Sequence, residues 1–263
     1  MKKSTLCLVS LLIVAFSCQH EDEAPVGDVV SEAALNEIRS LGFSTENVVK
    51  LEDGYLVEGD IILNFDDLRR GANRTTLRIA ETEQYRTTNL VTSPRVIKIS
   101  VASNLGATYI QAVDAMIDRY NAEGLDITFQ RVRTGADIQI VKANFLEQTI
   151  FLASAGFPSA SGDPYHRVKV STNQLVGQPL HTIVSVLAHE VGHCIGFRHT
   201  DFMDRSYSCG GAPVNEGASD VGAIHIPGTP SGPDAESFML SCIDSGADRP
   251  FNANDKIALD YLY

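Results

Sequence analysis

The chain has no tryptophan, no internal repeat and no excess of basic charge. Lys and Arg number 21 against 33 Asp and Glu, a formal charge of −12 with a pI near 4.9. That balance excludes a nucleic-acid binder held by a basic face. The apolar stretch Leu6 to Phe16, broken only by Ser10, is too short to cross a bilayer as a helix. Cysteine is scarce and odd in number, five in all, so pairing alone cannot account for every thiol. What is there, 44% apolar and 21% charged residues over 263 positions, rules out a coiled coil, a collagen-like repeat and wholesale disorder. Ten prolines and twenty glycines point to generous loops around a moderate core, in one large or two small domains.

The first thirty residues carry an address. Met1-Lys2-Lys3 followed by the Leu6–Phe16 run reads as the basic and apolar regions of a secretory signal. Its end, Ala15-Phe16-Ser17-Cys18, resembles a bacterial lipoprotein signal. The resemblance implies that residues 1–17 are removed and that Cys18 becomes the acylated N-terminus; a plain signal peptide cleaved nearby is the alternative. Residues 18–30, with Glu21-Asp22-Glu23, Pro25 and Gly27, read as an acidic tether. The run is similar to the signal that sends Bacteroidetes-type lipoproteins to the outer face of the outer membrane. An exported outer-membrane lipoprotein, surface-exposed or facing the periplasm, is therefore expected, in a compartment that permits disulfides.

Residues 31–86 read as a small N-terminal segment. Ala34, Leu35, Ile38 and Leu41 have helical spacing behind Ser31 as N-cap, and Gly42 stops the run. Asp53-Gly54 separates short apolar runs as in a hairpin. Arg69, Arg70, Arg74, Arg78 and Arg86 then sit in a polar linker of protease-sensitive character. The unit is too small for much independent stability, and it is a candidate pro-segment. Residues 87–263 show strand, helix, strand, strand, loop, strand and helix, which predicts an α+β domain with helices packed on a sheet. Arg167 to Ser171 is expected to be an edge strand that pairs with an extended peptide. Residues 201–236 read as one long irregular loop, and Asn254 to Tyr263 as a terminal helix.

The segment His189-Glu190-Val191-Gly192-His193-Cys194-Ile195-Gly196-Phe197-Arg198-His199 carries the chemistry. It satisfies H-E-x-x-H-x-x-G-x-x-H, a pattern that average composition would produce in roughly 1 of 100,000 chains of this length. Histidines four apart lie one helical turn apart on one face, so both imidazoles can reach a single zinc ion. Gly196 can take a positive φ, end the helix and turn the chain so that His199 supplies a third nitrogen. Three protein ligands leave a position open, the catalytic pattern, and Glu190 is placed to act as general base. Ile183, Leu187, Val191 and Ile195 form the apolar arc of the same helix, with Cys194 inside it as a buried thiol.

These residues resemble those of the metzincin metallopeptidases, and in particular the HEIGH-type dual-action group, over residues 87–263. The resemblance implies a twisted, mostly parallel sheet with an antiparallel edge strand, an active-site helix, a methionine turn and a C-terminal helix. Ser237-Phe238-Met239-Leu240-Ser241 is similar to that turn, which would set Met239 beneath the histidines, with Ser241 where several metzincins carry a tyrosine. Metzincin latency often uses a cysteine or an aspartate. The lack of cysteine between Cys18 and Cys194 excludes the first, and Asp60, Asp66 and Asp67 are candidates for the second, without support from spacing. Asn215-Glu216-Gly217-Ala218-Ser219-Asp220 resembles the segment that gives thermolysin-like enzymes a glutamate ligand, but its Gly- and Pro-rich surroundings favour Glu216 as a loop residue. Asp201, Asp204, Asp220 and Asp234 could take calcium, although no EF-hand spacing is present.

The cysteines then divide. Cys7 leaves with the signal, Cys18 takes lipid and Cys194 is buried, which leaves Cys209 and Cys242 as a bridge across the glycine-rich loop. The expected function is a secreted, lipid-anchored zinc endopeptidase acting on peptide or protein substrates. The alternative is a binding or adhesion lipoprotein that keeps a zinc scaffold with little turnover, against which the intact Glu190 argues.

Overall fold

The computed structural model describes residues 29–65, 68, 84–217, 222–230 and 232–263. Cys18, the signal, most of the tether, Asp66, Asp67, Asp220 and the linker arginines Arg69, Arg70, Arg74 and Arg78 lie outside them. Among the described residues no helix is long and apolar enough to cross a membrane.

Helix α1 (Glu32–Ser40) is capped by Ser31, whose hydroxyl accepts from the Ala34 N–H, and it buries Ala34 and Ile38. It precedes a three-stranded antiparallel sheet of β1 (Val49–Lys50), β2 (Gly54–Val57) and β3 (Ile61–Asn64). The period-2 pattern splits these strands between two cores. Val57, Ile61 and Leu63 join Ile38 and Phe43 in a small cluster. Leu56 and Ile62 face the other way, into the large core. A small cluster of its own and docking of Leu56 and Ile62 onto the large core thus hold this unit in place.

The chain resumes at β4 (Tyr85–Arg86), which pairs with the later β10 (Ile224–His225). The central sheet comprises β5 (Arg95–Val101), β6 (Ile127–Arg131), β7 (Ile138–Lys142), β8 (Ala153–Ser154) and β9 (Arg167–Val170). Its order is β6-β5-β7-β9-β8, parallel except for β8. The Arg167–Ser171 segment is therefore not the edge expected of it: β9 has β7 on one side and β8 on the other. The edge is β8, two residues long and too short to show any alternation in sequence. Parallel strands carry helices across their face, here α2 (Ala107–Asn121) and α3 (Leu180–Ile195). Tyr120 of α2 donates its hydroxyl to the Ala188 carbonyl at 2.7 Å, which anchors α3 at its middle. The region 201–236 is less irregular than expected, since it holds α4 (Ser206–Cys209) as well as β10. The last helix, α5 (Ala253–Leu262), starts with a capping box between Asn252 and Asp255. Tyr263 just beyond it donates to the Ile195 carbonyl at the end of α3.

Strand β3 meets the edge of the central sheet just past β8 through one isolated bridge. Ile62 donates to the Ala155 carbonyl at 2.7 Å and Ala155 donates to the Asp60 carbonyl at 3.0 Å, in a parallel bridge. The N-terminal segment thus lies along the open edge next to α3.

Candidate metal centre

Helix α3 is buried from Thr182 to Ile195, with Ile183, Leu187, Val191, Cys194 and Ile195 in the large core. Cys194 is a free, buried thiol. The helix ends at Gly196, whose φ of 113° lies in the left-handed region and whose N–H closes onto the Gly192 and His193 carbonyls. A side chain there would also meet Leu90 at 2.7 Å. The turn brings His199 back onto α3. The Nε2 atom of His193 lies 3.0 Å from Nε2 of His189 and 3.2 Å from Nε2 of His199.

Each ring is held at its far nitrogen by a group that can only accept. Nδ1 of His189 faces the Phe238 carbonyl at 2.9 Å, and Nδ1 of His193 the Phe197 carbonyl at 2.9 Å. Nδ1 of His199 faces both oxygens of Glu216 at 3.0 Å. These acceptors favour the proton on Nδ1, so when the rings are neutral three Nε2 lone pairs converge on one point. Three lone pairs at that spacing repel one another unless a cation stands between them, and imidazole nitrogens suit zinc. Two orphaned buried oxygens point the same way, Oδ1 of Asp60 and Oε2 of Glu190, each without a hydrogen-bond partner among the described residues. His189, His193, His199 and Asp60 form a group whose ligand atoms could hold one metal ion.

Met239 is fully buried and lies under α3 at Gly192, where an added Cβ would come within 2.6 Å of its sulfur and 2.9 Å of Phe238. A glycine inside a helix costs about 1 kcal/mol against alanine, a signal that could have marked Gly192 as a point of close approach. The turn is fixed by the Thr200 N–H donating to the Met239 carbonyl at 3.0 Å. Asp255 holds its other side, accepting from Phe238 N–H at 3.1 Å and Ser237 hydroxyl at 2.7 Å. Cys209 and Cys242 form a disulfide three residues past the methionine. Ser241 donates its hydroxyl to Asp201 at 2.8 Å.

Glu216 sits on irregular backbone and stands behind His199, paired with Arg205 at 3.1 Å. It is a loop residue, as its surroundings suggested, but its orienting role was not legible. Asp201, Asp204 and Asp234 are engaged by local donors: Ser208 and Ser241, Ser206, and Asn252 with Asn254. None belongs to a metal-capable group among the described residues.

Asp60 reaches the site from the N-terminal segment. Its Oδ2 lies 3.1 Å from Nε2 of His199 and 3.5 Å from Nε2 of His189. Burial opposes its ionisation, yet the facing His199 and His189 hold its carboxyl well below the ordinary range. His199 is raised well above its usual value, because Asp60 and Glu216 overcome the effect of burial. His193 is pushed down by burial and by the two neighbouring rings. Burial, and then the Asp60 charge, raise the Glu190 carboxyl.

Among solved structures the chain is similar to myroilysin, at 13% identity over 64% of this chain and 80% of that one, with a TM-score of 0.39. A second myroilysin structure gives 13% over 64% and 83%, TM-score 0.37. High choriolytic enzyme 1, a hatching-enzyme zinc protease of the medaka fish Oryzias latipes, gives 19% over 40% and 44%, TM-score 0.27. No curated protein matches the chain. The profile of the dual-action HEIGH metallo-peptidases matches residues 55–263. Together with a histidine cluster able to hold one metal ion, that match places the chain among the dual-action HEIGH metallo-peptidases, as a zinc metalloprotease acting on peptide or protein substrates.

Proposed function

We propose that the chain is an exported, lipid-anchored zinc endopeptidase whose N-terminal segment keeps it latent. His189, His193 and His199 are the zinc ligands, and the convergence of their Nε2 atoms carries the reading. Zinc, when bound, supplies a Lewis acid that activates water and polarises the scissile carbonyl. Glu190, on the same helix and with one oxygen unpartnered, takes the proton of the attacking water and delivers it to the leaving amine. Phe238, Phe197 and Glu216 hold the three rings in the ligating tautomer. Met239 and Gly192 pack the floor beneath them.

Latency is supported by the Asp60 contacts and by β3 lying on the sheet edge where an extended peptide would otherwise pair. The Arg-rich stretch between residues 66 and 86 is the place for a releasing cut. Cys18 is the site of lipid attachment in an outer-membrane location, a reading that rests on the sequence alone.

The test is casein hydrolysis by zinc-loaded protein before and after a trypsin cut in the linker. Activity is expected after the cut, and without it in Asp60→Ala, whereas Glu190→Ala loses activity by at least a thousandfold, on the order of the losses seen when a reacting group is removed. Wild-type turnover in Glu190→Ala refutes the general base, and an uncut wild type as active as Asp60→Ala refutes latency. Labelled palmitate that enters wild-type chains and Cys18→Ser alike refutes the anchor.

A further inference from the structure

Beside Glu190 and His189 the cleft deepens into a cavity of about 280 Å³. Its walls are mostly apolar, with Leu152 by the sheet edge, Val186 of α3, and Leu240 and Ile243 beyond the methionine turn, and Asp60, Ser185 and Ser241 also line it. Against them stands Arg249. Its backbone N–H donates to the Ser185 hydroxyl at 2.8 Å and its Nη1 to the Cys242 carbonyl at 2.8 Å. Ser185 is four residues before His189 on α3, so Arg249 is tied about 6 Å along the helix from the metal ligands.

An arginine in an apolar pocket is normally paired. Among the described residues no carboxylate lies within ion-pair distance of Arg249. The acids whose fields reach it are occupied or exposed. Asp201 accepts from Ser208 and Ser241, Asp255 accepts from Gln84, Ser237, Phe238 and Asn252, and Asp244 is exposed. Burial lowers the guanidinium pKa, and those three carboxylates act against it. The other arginine on the cavity, Arg205, is already paired with Glu216 and the Glu58 carbonyl. What remains is a half-buried guanidinium with no carboxylate partner among the described residues, at the end of an apolar slot that opens onto the reacting groups.

We propose that this cavity receives an acidic side chain of the substrate next to the scissile bond, with Arg249 pairing its carboxylate and the apolar walls enclosing its methylene stem. The inference rests on the peptidase reading and deepens it by naming the substrate class. A carboxylate completes the fork of the guanidinium, whereas the matching amide leaves that half-buried charge without a countercharge. Glutamate, with two methylenes, reaches further along the slot than aspartate.

The experiment compares two peptides that differ only by Glu or Gln at the position flanking the cut, found first by cleavage profiling of a peptide library. Zinc-loaded chain with the linker nicked is expected to favour the Glu peptide in kcat/KM by about 10- to 100-fold. Arg249→Met should bring the ratio near one, and Arg249→Lys should restore part of it. A wild-type ratio near one, or an undiminished ratio in Arg249→Met, overturns the assignment. Binding of the same peptides to nicked, zinc-loaded Glu190→Ala, read by fluorescence anisotropy, separates the two readings. Glu-selective, Arg249-dependent binding without turnover in the wild type would overturn the peptidase reading and leave the pocket standing. Absence of both binding and hydrolysis overturns the pocket.

Discussion

Removing the Glu216 carboxylate should weaken zinc binding without removing a ligand. Both its oxygens lie 3.0 Å from Nδ1 of His199, and the residue is fully buried. In Glu216→Ala that nitrogen has no acceptor, so the ring can rotate, or carry its proton on Nε2, where it cannot ligate. Losses of such supporting partners cost about 10- to 100-fold in metal affinity, or about 1.4–2.7 kcal/mol. Glu216→Gln keeps one carbonyl oxygen to accept from Nδ1–H, so it should recover most of the loss. That contrast separates an orienting carboxylate from a ligand, for which the amide would serve nearly as badly as alanine. The assay is equilibrium competition for zinc against a chromophoric chelator, with thermal melting recorded because Arg205 also loses a partner. Zinc affinity within twofold of wild type in folded Glu216→Ala would refute the reasoning.

The remaining predictions concern stability. The Cys209–Cys242 bridge spans a sequence separation of 33, for which loop-closure entropy gives about 3.7 kcal/mol. At about 2–4 °C per kcal/mol for a chain of this size, Cys209→Ser with Cys242→Ser should melt about 7–15 °C lower; equal melting of wild type with and without reductant would contradict this. The Asp255 carboxyl is pushed up to about 6 by burial, against the pull of donors from Asn252, Ser237, Phe238 and Gln84. Since the folded state then holds its proton more tightly than the unfolded chain, this group's contribution falls as pH rises from about 4 to 6 and is flat above, by about 3 kcal/mol in all. Urea titrations of wild type and Asp255→Asn should therefore diverge in slope over that window, although the amide is less stable throughout because it faces four donors; parallel profiles would refute the assignment.

Much of the site is local, and local geometry is legible. Histidines four apart meet on one face of any helix, Gly196 can turn where other residues strain, and the apolar arc of Ile183, Leu187, Val191 and Ile195 identifies the buried side of α3. The same holds for Cys194, which falls in that arc, and the expected pairing of Cys209 with Cys242 is found. Strand β8 was not legible, because two residues carry no alternation, and the mistaken edge position for Arg167–Ser171 followed from missing it.

The sequence by itself determined the metal-binding helix, its terminating glycine and the class of chemistry, because each depends on short-range spacing that any such chain must obey, while the methionine turn was implied only by the resemblance. Only the tertiary structure decided what stands around them. Asp60 meets His199 across 139 residues, and Glu216 reaches it from a loop without regular pattern. The carbonyls of Phe238 and Phe197 orient two rings with backbone atoms that every residue possesses. Arg249 enters the cavity because the chain after the disulfide packs back onto Ser185. Such partners meet through closure of long loops, and no local periodicity records which side chains that closure will bring together.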